Sequence, residues 1–168
     1  LTQNKMTVVD FFMYGIKKKN IDTDTTLESQ DGAMNLSSTL CNDSEIAEGG
    51  VEIGDPTEVA LIKFANSRNL DYNILRNRYN RLSEIPFDSD RKLMTTVNLI
   101  DDENIMFTKG APDVIFKRCK YALKYDEVVE ISDEILDEYK KINENFSNRA
   151  LRVLAFAYKD VSDEFEPS

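Results

Sequence analysis

Directly after Lys92 the chain alternates as a strand does. Leu93, Thr95, Val97 and Leu99 fall on one side, and Met94, Thr96, Asn98 and Ile100 on the other. The run Asp101-Asp102-Glu103-Asn104 then predicts a hairpin turn into a return strand over Ile105 to Lys109. Just upstream, Pro86 cannot donate to a strand ladder, so the chain bends there or lies on a sheet edge. Phe87 thus falls at an irregular strand entry, close to Arg91 and Lys92. An aromatic face with a nearby cation suits a nucleotide, the base stacked and the phosphates paired. The same residues also read as a core phenylalanine followed by a solvated charge run.

A chain of 168 residues with 41% hydrophobic content is long enough for one domain with a real core. Its net charge of −10 argues against nucleic acid or an anionic membrane surface as partner, since both reward a basic face. An anionic ligand would have to be held by a local basic cluster working against the overall field. The chain contains no histidine, which removes imidazole-dependent acid–base catalysis, Ser-His and Cys-His nucleophile systems and imidazole zinc sites. Cys41 and Cys119 lie far apart without a CxxC pairing and read as free, mostly buried thiols of a reducing compartment. No apolar run approaches a membrane span, and no Gly-rich phosphate loop is present.

Taken in order, Met6 to Met13 reads as a strand, and Lys17 to Asp31 as a polar surface loop. Ala33 to Leu40 carries one helical apolar face, and Asn42 to Val51 is a turn-rich connection. In Gly54-Asp55-Pro56-Thr57-Glu58, Asp55 suits the N-cap, Pro56 the first helical position and Glu58 the third, which predicts a capping box. The helix that follows is apolar nearly all round and should be deeply buried, with its N-terminal end open to a polar ligand. A short helix is predicted over Tyr72 to Tyr79. Lys109-Gly110-Ala111-Pro112 ends the return strand, where Gly110 permits close backbone approach and a helix follows to Lys120. Lys109 is placed either to line a pocket or to snorkel. A short strand over Val128 to Ile131 precedes a helix capped by Ser132, with Ile135, Tyr139, Ile142 and Phe146 as its buried stripe. Leu151 to Tyr158 reads as a central strand interrupted by Arg152, a charge that must sit at an edge or face a cleft.

Four of these stretches, in this order, resemble the nucleotide-binding domain of P-type cation-transporting ATPases, most closely the calcium-pump branch. They are GDPTEVAL (54–61), EIPFDSDRKLMT (84–95), FTKGAPD (107–113) and LRVLAFAY (151–158). The opening LTQNKMTV (1–8) resembles the segment after that family's Asp-Lys-Thr-Gly-Thr phosphorylation motif. The resemblance implies an α+β fold, a twisted antiparallel sheet flanked by helices. It divides the chain into a linker strand over 1–14, the nucleotide-binding domain over 15–160 and an exit linker over 161–168. Phe87 would stack on adenine, Lys109 would line the base pocket with its head toward the ligand, and Glu58 would reach the polar edge of the base, although capping also accounts for Glu58. Arg152, with Lys92 in a lesser role, would meet the phosphates. Met94, Gly110, Ala111 and Leu154 would wall the pocket, while Asp55, mainly structural, and Thr57 would shape its rim. Ala150 stands where the family usually has Gly, and Asp113 where Glu is common.

The same resemblance implies ATP or ADP as ligand, Mg²⁺ only in the full-length pump, and no catalytic or metal-ligating residue within this chain. It makes the chain a fragment, a cytoplasmic domain of an integral membrane protein working with phosphorylation and actuator domains of the same parent. The fragment itself would lie outside the membrane and bind nucleotide without hydrolysing it. The alternative is a non-enzymatic, acidic α/β protein-interaction module.

Overall fold

The computed structural model describes residues 5–8, 10–13 and 24–164. The hairpin anticipated from the alternation is the centre of the molecule. After helix α1 (Gln30–Leu40) come a small hairpin of β1 (Glu45–Ala47) and β2 (Val51–Ile53), helix α2 (Pro56–Ser67) and helix α3 (Tyr72–Arg78). Strands β3 (Arg81–Asp88), β4 (Leu93–Ile100) and β5 (Glu103–Gly110) follow in succession. Helix α4 (Pro112–Arg118), the hairpin β6 (Tyr121–Lys124) and β7 (Glu127–Glu130), helix α5 (Asp133–Asn148) and strand β8 (Ala155–Asp160) complete the described chain. The main sheet has the order β3-β4-β5-β8 with every neighbouring pair antiparallel, so the fold is α+β as expected.

Residues paired directly across an antiparallel ladder share a face. Met94, Lys109 and Phe156 therefore form one row, and Thr96, Phe107 and Tyr158 another on the same face. That face packs on α1, with Leu36, Leu40 and Cys41 joining Met94, Ile100, Ile105 and Phe107 in one buried cluster. Leu93, Thr95 and Val97 on the opposite face are buried as well, so β4 is covered on both sides. The β4–β5 turn is tighter than anticipated. Asp101 (φ 46) and Asp102 (φ 70) are both left-handed, and Ile100 already pairs with Glu103, as in a two-residue primed turn.

Several elements differ from the sequence expectation. Among the described residues, Met6 to Met13 forms no strand beyond a bridge at Met13. Its side chains pack singly instead. The Thr57 hydroxyl reaches the Met6 sulfur at 3.2 Å, the Phe11 ring lies 6.1 Å from that of Phe64, and Phe12 meets Tyr139 edge-on. Residues 17–23 of the lysine-rich loop fall outside the described residues, and its last two residues, Gln30 and Asp31, open α1. Helix α2 buries Val59, Ala60, Ile62 and Ala65 but exposes Lys63, which pairs with Glu52 at 2.7 Å, so it is covered on one side rather than all round. Leu151 to Tyr158 is not a central strand: residues 151–154 are irregular, and β8 is the outer strand beside β5. Apolar content reports how far a strand's faces are covered, and an outer strand can be covered on its faces while lacking one ladder partner.

Candidate functional site

The ladder register gathers most of the candidate residues at one end of the sheet. Leu93 pairs with Asp88 on one side and Gly110 on the other, and Gly110 pairs with Ala155. Lys92, Ala111 and Leu154 follow or precede these positions by one residue, so all three lie at the same rim.

Gly110 is required there. A Cβ at this position would come within 2.2 Å of the Lys92 carbonyl oxygen, a backbone atom that cannot easily retreat. Lys92 is itself left-handed (φ 61), and its carbonyl accepts from the Ala111 N–H at 3.2 Å. Gly110, Ala111 and the Lys92 backbone thus close the rim, leaving the Lys92 side chain exposed.

Phe87 lies on the outer strand β3. The β3–β4 register slips between Ile85 and Asp88, so Pro86 and Phe87 form the irregularity that the proline implied. The Phe87 ring is 57% exposed, which removes the core alternative for this residue. A short turn stabilises the chain after it. The Asp88 carboxylate accepts from the Arg91 N–H at 3.0 Å and the Asp90 N–H at 2.7 Å. Those bonds, first that from Arg91, hold the Asp88 carboxyl below the usual carboxylate range. Arg91, to which the sequence reading gave no role of its own, ties the strands together across the irregularity. Its guanidinium donates to the Leu93 carbonyl at 2.9 Å and the Thr95 hydroxyl at 3.2 Å on β4, and to the Ile85 carbonyl at 3.4 Å on β3.

Lys109 is the opposite case. Its side chain is buried, and its ammonium donates to Glu58 Oε1 at 2.8 Å and to the Cys41 carbonyl. Of the two readings for Lys109, a snorkelling side chain is set aside: a buried cation needs a counter-charge, and Glu58 supplies it. Glu58 does not close a capping box either. Its second oxygen accepts from the Asp43 N–H at 2.7 Å, while Asp55 alone caps α2 by accepting from the Thr57 N–H at 2.8 Å. Helix α2 still fixes the carboxylate, because Pro56 and Asp55 start the helix where the third position faces Lys109. Next to the pair, the Cys41 thiol points at the Met94 and Phe107 carbonyls, and burial pushes its pKa up. Both cysteines are free, Cys41 buried and Cys119 half-buried.

Arg152 is exposed in the irregular segment that leads into β8, rather than within a strand. Leu154 is half-buried on the same segment. The chain arrives there from α5, whose end is closed by the Leu151 N–H donating to the Phe146 carbonyl at 3.1 Å. Ala150 supplies the left-handed residue of that closure (φ 56), a conformation glycine adopts more readily. The chain thus makes this turn without a glycine.

Two surface cavities, of about 230 and 390 Å³, border the loop after α1 and the α2–α3 corner. Neither is lined by Phe87, Lys109 or Arg152. An exposed ring on an open rim needs no enclosed volume to stack on a flat ligand, so the rim remains the better candidate.

Residues 33–168 match the family model described as P-type ATPase, cytoplasmic domain N. The chain belongs to the P-type ATPase N-domain family. A calcium-transporting ATPase of Listeria monocytogenes is 49% identical over 161 residues, which cover 95% of this chain and 18% of that protein. A calcium-transporting ATPase of Lactococcus lactis is 47% identical over 163 residues, with 97% and 18% covered. One from Bacillus cereus is 35% identical over 163 residues, 95% of this chain and 18% of that protein. This N domain thus spans less than a fifth of the length of those relatives, each 18% covered. No helix among the described residues of the N domain is long and apolar enough to cross a membrane.

Proposed function

We propose that this N domain binds ATP at the rim of its sheet, with adenine stacked on Phe87 and the phosphates directed toward Arg152 and Lys92. The observation that carries the reading is an aromatic ring 57% exposed at the end of a sheet where a lysine is held at 5% exposure by a carboxylate. The Glu58–Lys109 pair offers the edge of a purine a fixed acceptor beside a fixed donor. Met94, in the Lys109 row, and Leu154 provide apolar walls; Gly110 and Ala111 keep the backbone close; Thr57 and Asp55 stand at the start of α2 beside Glu58. Stacking on a single aromatic contributes about 1–3 kcal/mol per base, enough for Phe87 to be the main anchor.

In the parent protein, by analogy with the calcium-transporting relatives, the domain presents the γ-phosphate to an acceptor aspartate on a phosphorylation domain and works with an actuator domain. Positioning of this kind supplies much of phosphoryl-transfer catalysis. ADP must leave afterwards, which favours modest affinity. Among the described residues no group of three or more Asp, Glu, Cys or His could hold a metal ion. By the same analogy with the calcium-transporting relatives, we assign Mg²⁺, ion transport and ATP hydrolysis to the rest of the pump, and we place this domain on the cytoplasmic side of an integral membrane protein.

Titration of the ¹⁵N-labelled chain with ATP tests the reading. Saturable shifts should centre on Phe87, Lys109 and Arg152. Shifts scattered elsewhere would sink it, and no saturable response would favour the acidic interaction module.

A further inference from the structure

The Lys109–Glu58 pair rests on a loop that is itself gripped by two arginines from other elements. Helix α1 ends at Leu40, and the carbonyls of its last turn and of the following loop have no helical partner. Arg76, on α3, donates to the carbonyls of Thr39 at 3.1 Å, Asn42 at 3.0 Å and Ser44 at 2.7 Å. Arg81, at the start of β3, donates to the carbonyls of Leu40 at 2.8 Å and Asn42 at 3.1 Å. Its other nitrogen binds the carboxylates of Asp43 at 2.5 Å and Glu84 at 2.9 Å. Within the same run, the Cys41 carbonyl receives the Lys109 ammonium. Between them, the Asp43 N–H donates to Glu58 at 2.7 Å, and the Asn42 side-chain amide donates to the Glu58 carbonyl at 2.9 Å.

Neither guanidinium touches Lys109 or Glu58, yet together they hold residues on both sides of the two groups that do. The Lys109 ammonium and the Glu58 carboxylate meet the backbone of Cys41 and Asp43, while the arginines hold the carbonyls of the neighbours Leu40, Asn42 and Ser44, and Arg81 also binds the Asp43 carboxylate. A rigid fork anchored on several carbonyls fixes a backbone more tightly than a lysine would. We propose that Arg81 and Arg76 are positioning residues for the nucleotide site, setting the Lys109 ammonium and the Glu58 carboxylate through the 40–44 loop. This rests on the nucleotide-binding reading above.

The test uses the whole 168-residue chain. ATP affinity is measured for the parent, Arg81→Met, Lys109→Met and the double variant, alongside thermal midpoints and the ¹³Cε resonance of Lys109, assigned by its loss in Lys109→Met. Arg81→Met should raise the Kd roughly threefold to tenfold and move the Lys109 resonance before ATP is added. On the Lys109→Met background the same change should alter the Kd by less than about twofold, because the group it positions is gone. Arg81→Lys, which keeps the charge and loses the fork, should fall between parent and Arg81→Met, and it carries the test if the methionine variant does not fold. A lower midpoint with unchanged Kd and an unmoved Lys109 resonance overturns the positioning role while leaving nucleotide binding intact. If the parent chain shows no saturable ATP binding, both readings fail together.

Discussion

Phe87 and Lys109 stand at the same end of one sheet, two strands apart, under opposite conditions. Phe87 is 57% exposed on an outer strand whose ladder breaks around it, whereas Lys109 is 5% exposed on an inner strand with its ammonium already engaged. A stacking platform must leave its face free, so it belongs where the ladder is irregular and water has access. A buried charge must be partnered within the protein, so it belongs where several elements converge. The contrast separates an open apolar surface from a rigid polar seat; under the proposed function the first receives the base and the second orients it.

The sharpest way to break this comparison is to strand the lysine. Glu58→Ala leaves the ammonium with only the Cys41 carbonyl and should destabilise the domain by about 3 kcal/mol in urea unfolding. The double change Glu58→Leu with Lys109→Met should recover much of that loss, because no uncompensated charge remains. A Glu58→Ala loss below about 0.5 kcal/mol would mean that the pair is not a structural seat.

Gly110→Ala comes next. The added Cβ meets backbone and must displace the Lys92 turn, so a loss of about 2 kcal/mol is expected, read in the same unfolding experiment. Phe87→Ala should behave in the opposite manner to the Glu58 variant. Its stability should stay within about 0.5 kcal/mol of the parent, as for an ordinary surface change. Its ATP affinity should fall by about 1–3 kcal/mol by calorimetry, the value of one stacked base. A stability loss of core size would erase the distinction between the two regions. The smallest effect is Ala150→Gly. Relieving the left-handed alanine at the end of α5 should raise stability by about 0.5–1 kcal/mol and leave nucleotide affinity unchanged.

Much of this was legible locally. The alternation of Leu93 to Ile100, the Asp101-Asp102 turn, the proline irregularity before Phe87, the Asp55-Pro56 helix start and the Ser132 cap are all where the residues suggested. The β1–β2 hairpin and strand β6 were not anticipated. Their strands are only three or four residues long and mix charges with apolar residues, so no clear period shows. Nothing adjacent in the chain could have announced Arg76 and Arg81 as holders of the 40–44 loop. Each is an ordinary charged residue at the end of a short helix or the start of a strand.

The amino-acid order determined where the chain turns, starts helices and alternates, because those preferences act between residues a few positions apart. Only the tertiary structure decided what the charged groups do. Glu58 had a good local partner at its own helix end and took a distant one instead, since leaving Lys109 buried without a counter-charge would have cost more than an unclosed cap. It likewise placed LRVLAFAY at the side of the sheet rather than its middle, because apolar content sets how much of a strand is covered and not how many strands pair with it.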